Sequence, residues 1–128
     1  MDWSNEKECL AAAKKNGMVL RYIKNQTEEI CLVAVKHRGW NLKSVKQQTL
    51  KICLAAVRQN GLALQYVKEQ TEKICLEAVK NEGYALQYVK DQTLEMICIA
   101  IEDDEDALQY IDKEKFPEIY AYYKLLFS

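Results

Sequence analysis

Three stretches of this chain, ICLVAVKHRGWNLKSVKQQT (residues 30–49), ICLAAVRQNGLALQYVKEQT (residues 52–71) and ICLEAVKNEGYALQYVKDQT (residues 74–93), align without a gap at a spacing of 22 residues. A fixed short period is the signature of a repeat architecture, in which each unit buries its apolar face only against its neighbours. The frame extends back through ECLAAAKKNGMVLRYIKNQT (residues 8–27) and forward through MICIAIEDDEDALQYIDKEK (residues 96–115). Five copies result, at residues 5–26, 27–48, 49–70, 71–92 and 93–114, and a segment of different character, KFPEIYAYYKLLFS, follows at 115–128.

Within a copy the pattern predicts two short helices. Asn5, Thr27, Thr49, Thr71 and Thr93 stand at the N-cap position, where a side-chain oxygen can accept from the free N–H groups of the next turn. A first helix of about ten residues follows, marked in the second copy by Ile30, Cys31, Ala34 and Val35 at helical spacing. One glycine per copy (Gly17, Gly39, Gly61, Gly83) is expected to end that helix in the left-handed conformation. A shorter helix comes next, with Leu64 and Val67 in the third copy three residues apart. The alternating leucines and Asn/Cys ladder of a leucine-rich repeat are absent, so helix pairs are the better reading.

The fold class is therefore all-α, a single α-solenoid domain over residues 1–128 built from five 22-residue helix-turn-helix repeats and a C-terminal capping helix. Pro117 suits the first turn of that last helix. Its Tyr120, Tyr122, Tyr123 and Phe127 are bulky enough to close the open core, and Trp3 can cover the first copy. The fifth copy has Glu105 where the others have glycine, which predicts a modified turn or a first helix that ends differently.

The motif I-C-L-x-A-V-K, then Gly, then A-L-x-Y-V, resembles the short tandem helical repeat of domain-of-unknown-function family 4116, seen in some bacterial and large-virus proteins. The resemblance covers Asn5 to Ile111 and weakens in the fifth copy, which loses the motif's Cys, Lys and Gly. It implies a helical repeat, and the family supplies no catalytic residues to carry over.

Residue chemistry points away from catalysis. Cys9, Cys31, Cys53 and Cys75 recur at one helix position. Equivalent Cα atoms one helix layer apart lie beyond the roughly 7 Å reach of a disulfide, and a linear row of thiols cannot surround a tetrahedral zinc. They are expected to pack as small core residues, as is Cys98, which has moved one place to the leucine position. His37, the one histidine, has no nucleophile with an orienting acid at helical spacing and suits a helix C-terminus. No enzyme activity and no metal or cofactor is expected. Five cysteines without a C-x-x-C, no signal-peptide pattern and no long apolar run lead us to expect an intracellular, cytoplasmic protein in a reducing compartment, off the membrane.

Charge is the more informative feature. Lys14, Lys36, Arg58 and Lys80 share one repeat position and Lys24, Lys46, Lys68 and Lys90 another, so stacking turns each set into a candidate basic ridge. Tyr22, Tyr66, Tyr88 and Tyr110 recur beside the second ridge. The net charge of −1 hides an asymmetry: the copies carry +3, +2, +2, −1 and −7 in order. The fifth contains Glu102, Asp103, Asp104, Glu105 and Asp106 in a row, a candidate acidic partner-binding patch. The expected function is a non-catalytic protein–protein interaction module using this charged surface. One alternative is a small inhibitor of a nucleic-acid enzyme, for example of a bacterial defence nuclease and encoded by a mobile element, with the patch imitating nucleic acid. Another is nucleic-acid binding by the lysine ridges with the tyrosines as stacking faces. Self-association through the oppositely charged ends or the C-terminal helix is a further expectation, and a solubilising terminal cap would use the same acids.

Overall fold

The computed structural model describes residues 3–128, and among them α-helices alternate with 3-10 segments and no strand occurs. The α-helices are α1 (Glu6–Lys15), α2 (Glu28–His37), α3 (Leu50–Gln59), α4 (Glu72–Asn81), α5 (Leu94–Asp103) and α6 (Pro117–Leu126). The intervening 3-10 segments are Gly17–Tyr22, Gly39–Ser44, Gly61–Tyr66, Gly83–Tyr88 and Glu105–Tyr110. Each copy is thus one ten-residue α-helix and one six-residue 3-10 segment, and it packs on the copies before and after it in a helical solenoid.

The caps form where the repeat places them. Thr27, Thr49 and Thr71 Oγ1 each accept from a backbone N–H three residues on at 3.2 Å, Thr93 does so at 3.3 Å, and Asn5 Oδ1 does so at 3.1 Å. Pro117 lies in the first turn of α6, where its missing N–H removes nothing.

Three expectations are corrected by the backbone. First, no glycine is left-handed: no described residue has a positive φ, and the residue after α1 to α5 is extended, from φ −149° and ψ 112° at Glu82 to φ −155° and ψ 120° at Asp104. The glycine is required by proximity instead. A Cβ on Gly17 would stand 2.8 Å from the Ala34 carbonyl oxygen of the next copy, and one on Gly83 would stand 2.7 Å from that of Ala100. The carbonyls of Ala56 and Ala78 come closer still to Gly39 and Gly61.

Second, the shorter helix is 3-10 rather than α. Its i, i+3 apolar spacing fits both forms, and six residues is short enough for the tighter winding, which supplies about 2.0 Å of rise per residue. Third, the fifth copy does not turn differently: α5 has the same ten residues as the others, and Glu105 opens its 3-10 segment as glycine does elsewhere. No sixth repeat helix follows α5, so the close approach that excludes a Cβ in the first four copies is missing there.

The core runs along the stack. Ile30, Ile52, Ile74 and Met96 are buried, as are Leu20, Leu42, Leu64 and Leu86 from the 3-10 segments, and each contributes roughly 1.5–3 kcal/mol of apolar burial. Ala34, Ala56, Ala78 and Ala100 are fully buried and let consecutive copies approach closely. The cysteines take the expected place: Cys9, Cys31, Cys53 and Cys75 are buried and all five thiols are free. Trp3 packs on the first copy, its ring stacked on that of Tyr22.

A polar clamp joins each copy to the next. Gln48 Nε2 donates to the Tyr66 carbonyl at 2.7 Å while its Oε1 accepts from the Lys68 N–H at 2.9 Å. Gln26, Gln70 and Gln92 make the equivalent pairs with Ser44 and Lys46, Tyr88 and Lys90, and Tyr110 and Asp112. Cys31, Cys53 and Cys75 thiols point at the same glutamine oxygens from 3.7, 3.6 and 3.4 Å. The glutamine satisfies backbone groups at the end of the following 3-10 segment, which would otherwise lie half-buried without partners.

Candidate functional site

The solenoid positions charge along two edges, one where the α-helices end and one where they begin. Lys14, Lys36, Arg58 and Lys80 lie exposed in the last turns of α1 to α4, where the helix C-terminus favours a cation. Glu102 takes that place in α5. The run is also interrupted from within, because Arg58 Nε pairs with Glu77 of the next copy at 3.4 Å. His37 is exposed at the end of α2.

At the opposite edge Lys24, Lys46, Lys68 and Lys90 follow the 3-10 segments and are exposed. Lys46 and Lys68 reach back with Nζ to the carbonyls of Lys24 and Lys46, at 3.3 and 3.5 Å. Asp112 holds the fifth position of this row. Its Oδ1 accepts from the N–H groups of Glu114 and Lys115, turning the chain toward α6. Lys115 in turn binds Asp91 at 2.6 Å. Both basic rows therefore change sign at the fifth copy.

Clefts of about 380 and 220 Å³ open between copies along this second edge, lined by Gln48, Cys53 and Lys68, and by Gln70, Cys75 and Lys90. Their glutamines are already engaged in the clamps. Burial pushes the Cys75 thiol up to about 11, with Asp91 adding to the effect, and burial raises Cys31 and Cys53 as well. These thiols are therefore poor nucleophiles at neutral pH. Among the described residues no cluster of His, Cys, Asp and Glu is arranged to hold a metal ion.

The tyrosines are largely used inside the chain. Tyr66 meets Trp40 and Tyr110 meets Tyr84 edge to face, at 5.6 and 5.7 Å between ring centroids, and Tyr88 is half-buried. Tyr22 remains exposed, with the Arg21 guanidinium 4.7 Å above its ring.

The acidic run separates into two groups. Asp103 Oδ2 accepts from the Gly83 N–H at 2.8 Å, the place filled by Gln59 for Gly39 and by Asn81 for Gly61. Asp104 Oδ1 caps the Glu105–Tyr110 segment by accepting from the Asp106 N–H, as Asn16 and Asn60 do in their copies. Asp106 Oδ2 accepts from the Tyr84 hydroxyl at 3.4 Å. Desolvation first, then the charges of Asp104 and Asp106, raise the Tyr84 phenol above its ordinary range. Glu102 and Glu105 are exposed and occupy positions where the other copies carry a cation and a glycine.

Two features escaped the sequence reading. One is the glutamine clamp, signalled by Gln26, Gln48, Gln70 and Gln92 standing before every Thr cap. The other is the double-faced character of α6: Tyr120 and Tyr123 close the core, but Tyr122 and Phe127 are exposed.

The arrangement defines a class, a tandem-repeat α-solenoid with charged edges and a fifth copy of opposite sign, in which no helix is long and apolar enough to cross a membrane. A family model, described as a domain of unknown function (DUF4116), matches residues 27–71 and again 50–94. The two tandem matches span just over half of the sequence, and the chain belongs to that family. No curated protein and no solved structure matches it.

Proposed function

We propose that the chain is a non-catalytic interaction module whose fifth copy presents Glu102 and Glu105 to a basic surface on a protein partner. The observation that carries this reading is the division within the acidic run. Asp103, Asp104 and Asp106 serve the fold, whereas Glu102 and Glu105 hold no bond that the turn requires, since α5 ends with the geometry of its neighbours. Carboxylates at exposed positions of a rigid repeat, on a copy of charge −7, favour fast, salt-sensitive docking of a cationic partner. An enzyme that grips nucleic acid through a cationic groove is one such partner, and the chain would then act as its inhibitor. A cytoplasmic setting accords with the free thiols.

The test is affinity capture with the wild-type chain beside the double variant Glu102→Lys and Glu105→Lys, at about 0.1 M and about 1 M salt, where charges are felt over roughly 10 and 3 Å. Proteins held by the wild type at low salt and lost by the variant support the reading. Identical capture by both chains overturns it. If the retained protein is a nuclease, the same pair decides whether its inhibition depends on these two carboxylates.

Direct nucleic-acid binding draws on the recurrence of lysine at both edges. The Arg58–Glu77 pair, the Lys115–Asp91 pair and the reversal at Glu102 and Asp112 all divide those rows, so the structure favours it less. Retention of labelled single-stranded oligonucleotide at low salt, with a slope that falls when Lys46 and Lys68 are neutralised, would reinstate it.

A further inference from the structure

We propose that the chain assembles head to tail with further copies of itself, the outward face of α6 in one copy seating on the outward face of α1 in the next. The donor is argued from composition and exposure together. In α6 only Glu118 and Lys124 are charged, so the helix is apolar nearly all round, the pattern of a helix covered on both sides. One side is covered: Phe116, Ile119, Tyr120 and Tyr123 lie against the last copy, with the Tyr123 hydroxyl 3.7 Å from Cys98 Sγ. The other side is open, leaving Tyr122, Leu125 and Leu126 exposed by 59, 77 and 57%.

The acceptor is the face of α1 that the repeat covers everywhere else. Ala34, Ala56, Ala78 and Ala100 are fully buried against the preceding copy, whereas the equivalent Ala12 is partly open and Ala11 is exposed beside it. With Glu8 and Lys15 they line a shallow depression of about 390 Å³. Large side chains protrude at one end of the solenoid and small ones recede at the other. Glu8 stands where Ile30, Ile52, Ile74 and Met96 fill the core between copies, so this face suits a polar-rimmed association rather than another repeat of the regular kind.

Charge selects the occupant. Pairing two α6 helices across a two-fold axis would bring together two fifth copies of −7 each. Head-to-tail contact instead sets −7 against the first copy's +3 and lets Lys124 and Glu118 meet Glu8 and Lys15 of the next molecule. Such a contact is heterologous and does not close, so growth is open-ended. One helix on one helix falls at the small end of interface sizes, below about 1,200 Å², so the association is weak and salt-sensitive. This inference does not rest on the proposed docking of a basic partner, because Glu102 and Glu105 make no contact it requires.

Sedimentation of the purified 128-residue chain and two point variants tests it, with helical circular dichroism confirming that each variant folds. Leu125→Glu breaks the donor and keeps the acceptor. Ala11→Glu breaks the acceptor and keeps the donor, and copy four already carries a glutamate, Glu77, at that repeat position. In about 0.1 M salt, and up to the millimolar range expected for a small contact, the wild-type average mass rises past twice that of one chain and falls back near 1 M salt. Each variant alone stays a single chain. Their equimolar mixture forms one-to-one pairs and nothing larger, because one intact donor meets one intact acceptor. Growth that stops at pairs and persists in Ala11→Glu would show α6 pairing instead, and a wild type that stays single throughout overturns the proposal outright. Should Leu125→Glu loosen α6, Tyr122→Ser repeats the donor test.

Discussion

At Gly61 the missing Cβ is a matter of distance rather than backbone conformation, because φ is negative and the Ala78 carbonyl of the next copy fills the space a methyl would need. Gly→Ala at an ordinary negative-φ site stabilises by about 0.4–1 kcal/mol through the unfolded chain. Here the sign reverses: Gly61→Ala should destabilise by about 1–3 kcal/mol, the range for overpacking, whereas Glu105→Ala at the equivalent position of the last copy should change urea stability by no more than about 0.5 kcal/mol. The sequence marks where a side chain is forbidden but not what forbids it, since the carbonyl lies 17 residues away and belongs to another copy. The acidic run was legible in the same partial way: five consecutive acids stand out, but only geometry separates Asp103, Asp104 and Asp106, which bind within the fold, from Glu102 and Glu105. The cysteine row yields a second expectation at this scale. Burial holds Cys75 near 11 against an ordinary value of 9.0, so its protonated form is favoured by the fold. The stabilising effect is complete below about pH 9 and is lost as pH rises toward 11. In the native protein near pH 8, iodoacetamide should therefore label Cys98, which is only half-buried, before Cys31, Cys53 or Cys75, as peptide mass spectrometry would show.

Among the elements, the 3-10 segments differ from one another in how they begin. Asn16, Asn60 and Asp104 each accept from the N–H two residues on, while Arg38 and Glu82 provide no side-chain cap. Glu82 has the same extended backbone as Asn60, with φ −149° and ψ 112° beside φ −150° and ψ 110°. Glu82→Asn should therefore supply the cap to the Gly83–Tyr88 segment and stabilise the protein by about 0.5–1 kcal/mol, read as a higher urea midpoint at unchanged slope. Asn60→Ala should lower it by a similar amount. The α-helices were legible because ten residues of i, i+4 periodicity between a Thr cap and a glycine admit few other structures. The 3-10 form was not, because in six residues the apolar positions three apart satisfy either winding and the choice is made by neighbouring copies.

On the scale of the whole molecule the period itself is the structural invariant, since every contact between copies connects a residue to one about 20 positions on. Gln48 Nε2 reaches Tyr66, Gly39 N–H reaches Gln59, and Trp40 packs on Tyr66. Removing residues 54–75, which are 22 in number, joins Cys53 to Leu76 inside one helix and leaves each of these residues facing its counterpart one copy later. Gln48 then meets the Tyr88 carbonyl and Lys90 N–H, Gly39 meets the Ala78 carbonyl and Asn81, and Trp40 meets Tyr88, while the exposed Arg58–Glu77 pair, worth at most about 1 kcal/mol, is lost. Removing only residues 54–73 keeps Ile74 and Cys75 in that helix and turns everything after them by about 200°, because each residue advances the helix by about 100°. The buried stripe of the fused helix would then face solvent. The shorter chain lacking 54–75 should retain a helical spectrum and unfold in one urea transition with a lower midpoint and a smaller slope, as expected when one stacked interface is gone. The chain lacking 54–73, although two residues longer, should show no cooperative transition at the same midpoint. Equal behaviour of the two deletions would mean that the copies do not stack in register through these contacts, and the charge rows at the two edges would lose their alignment with it.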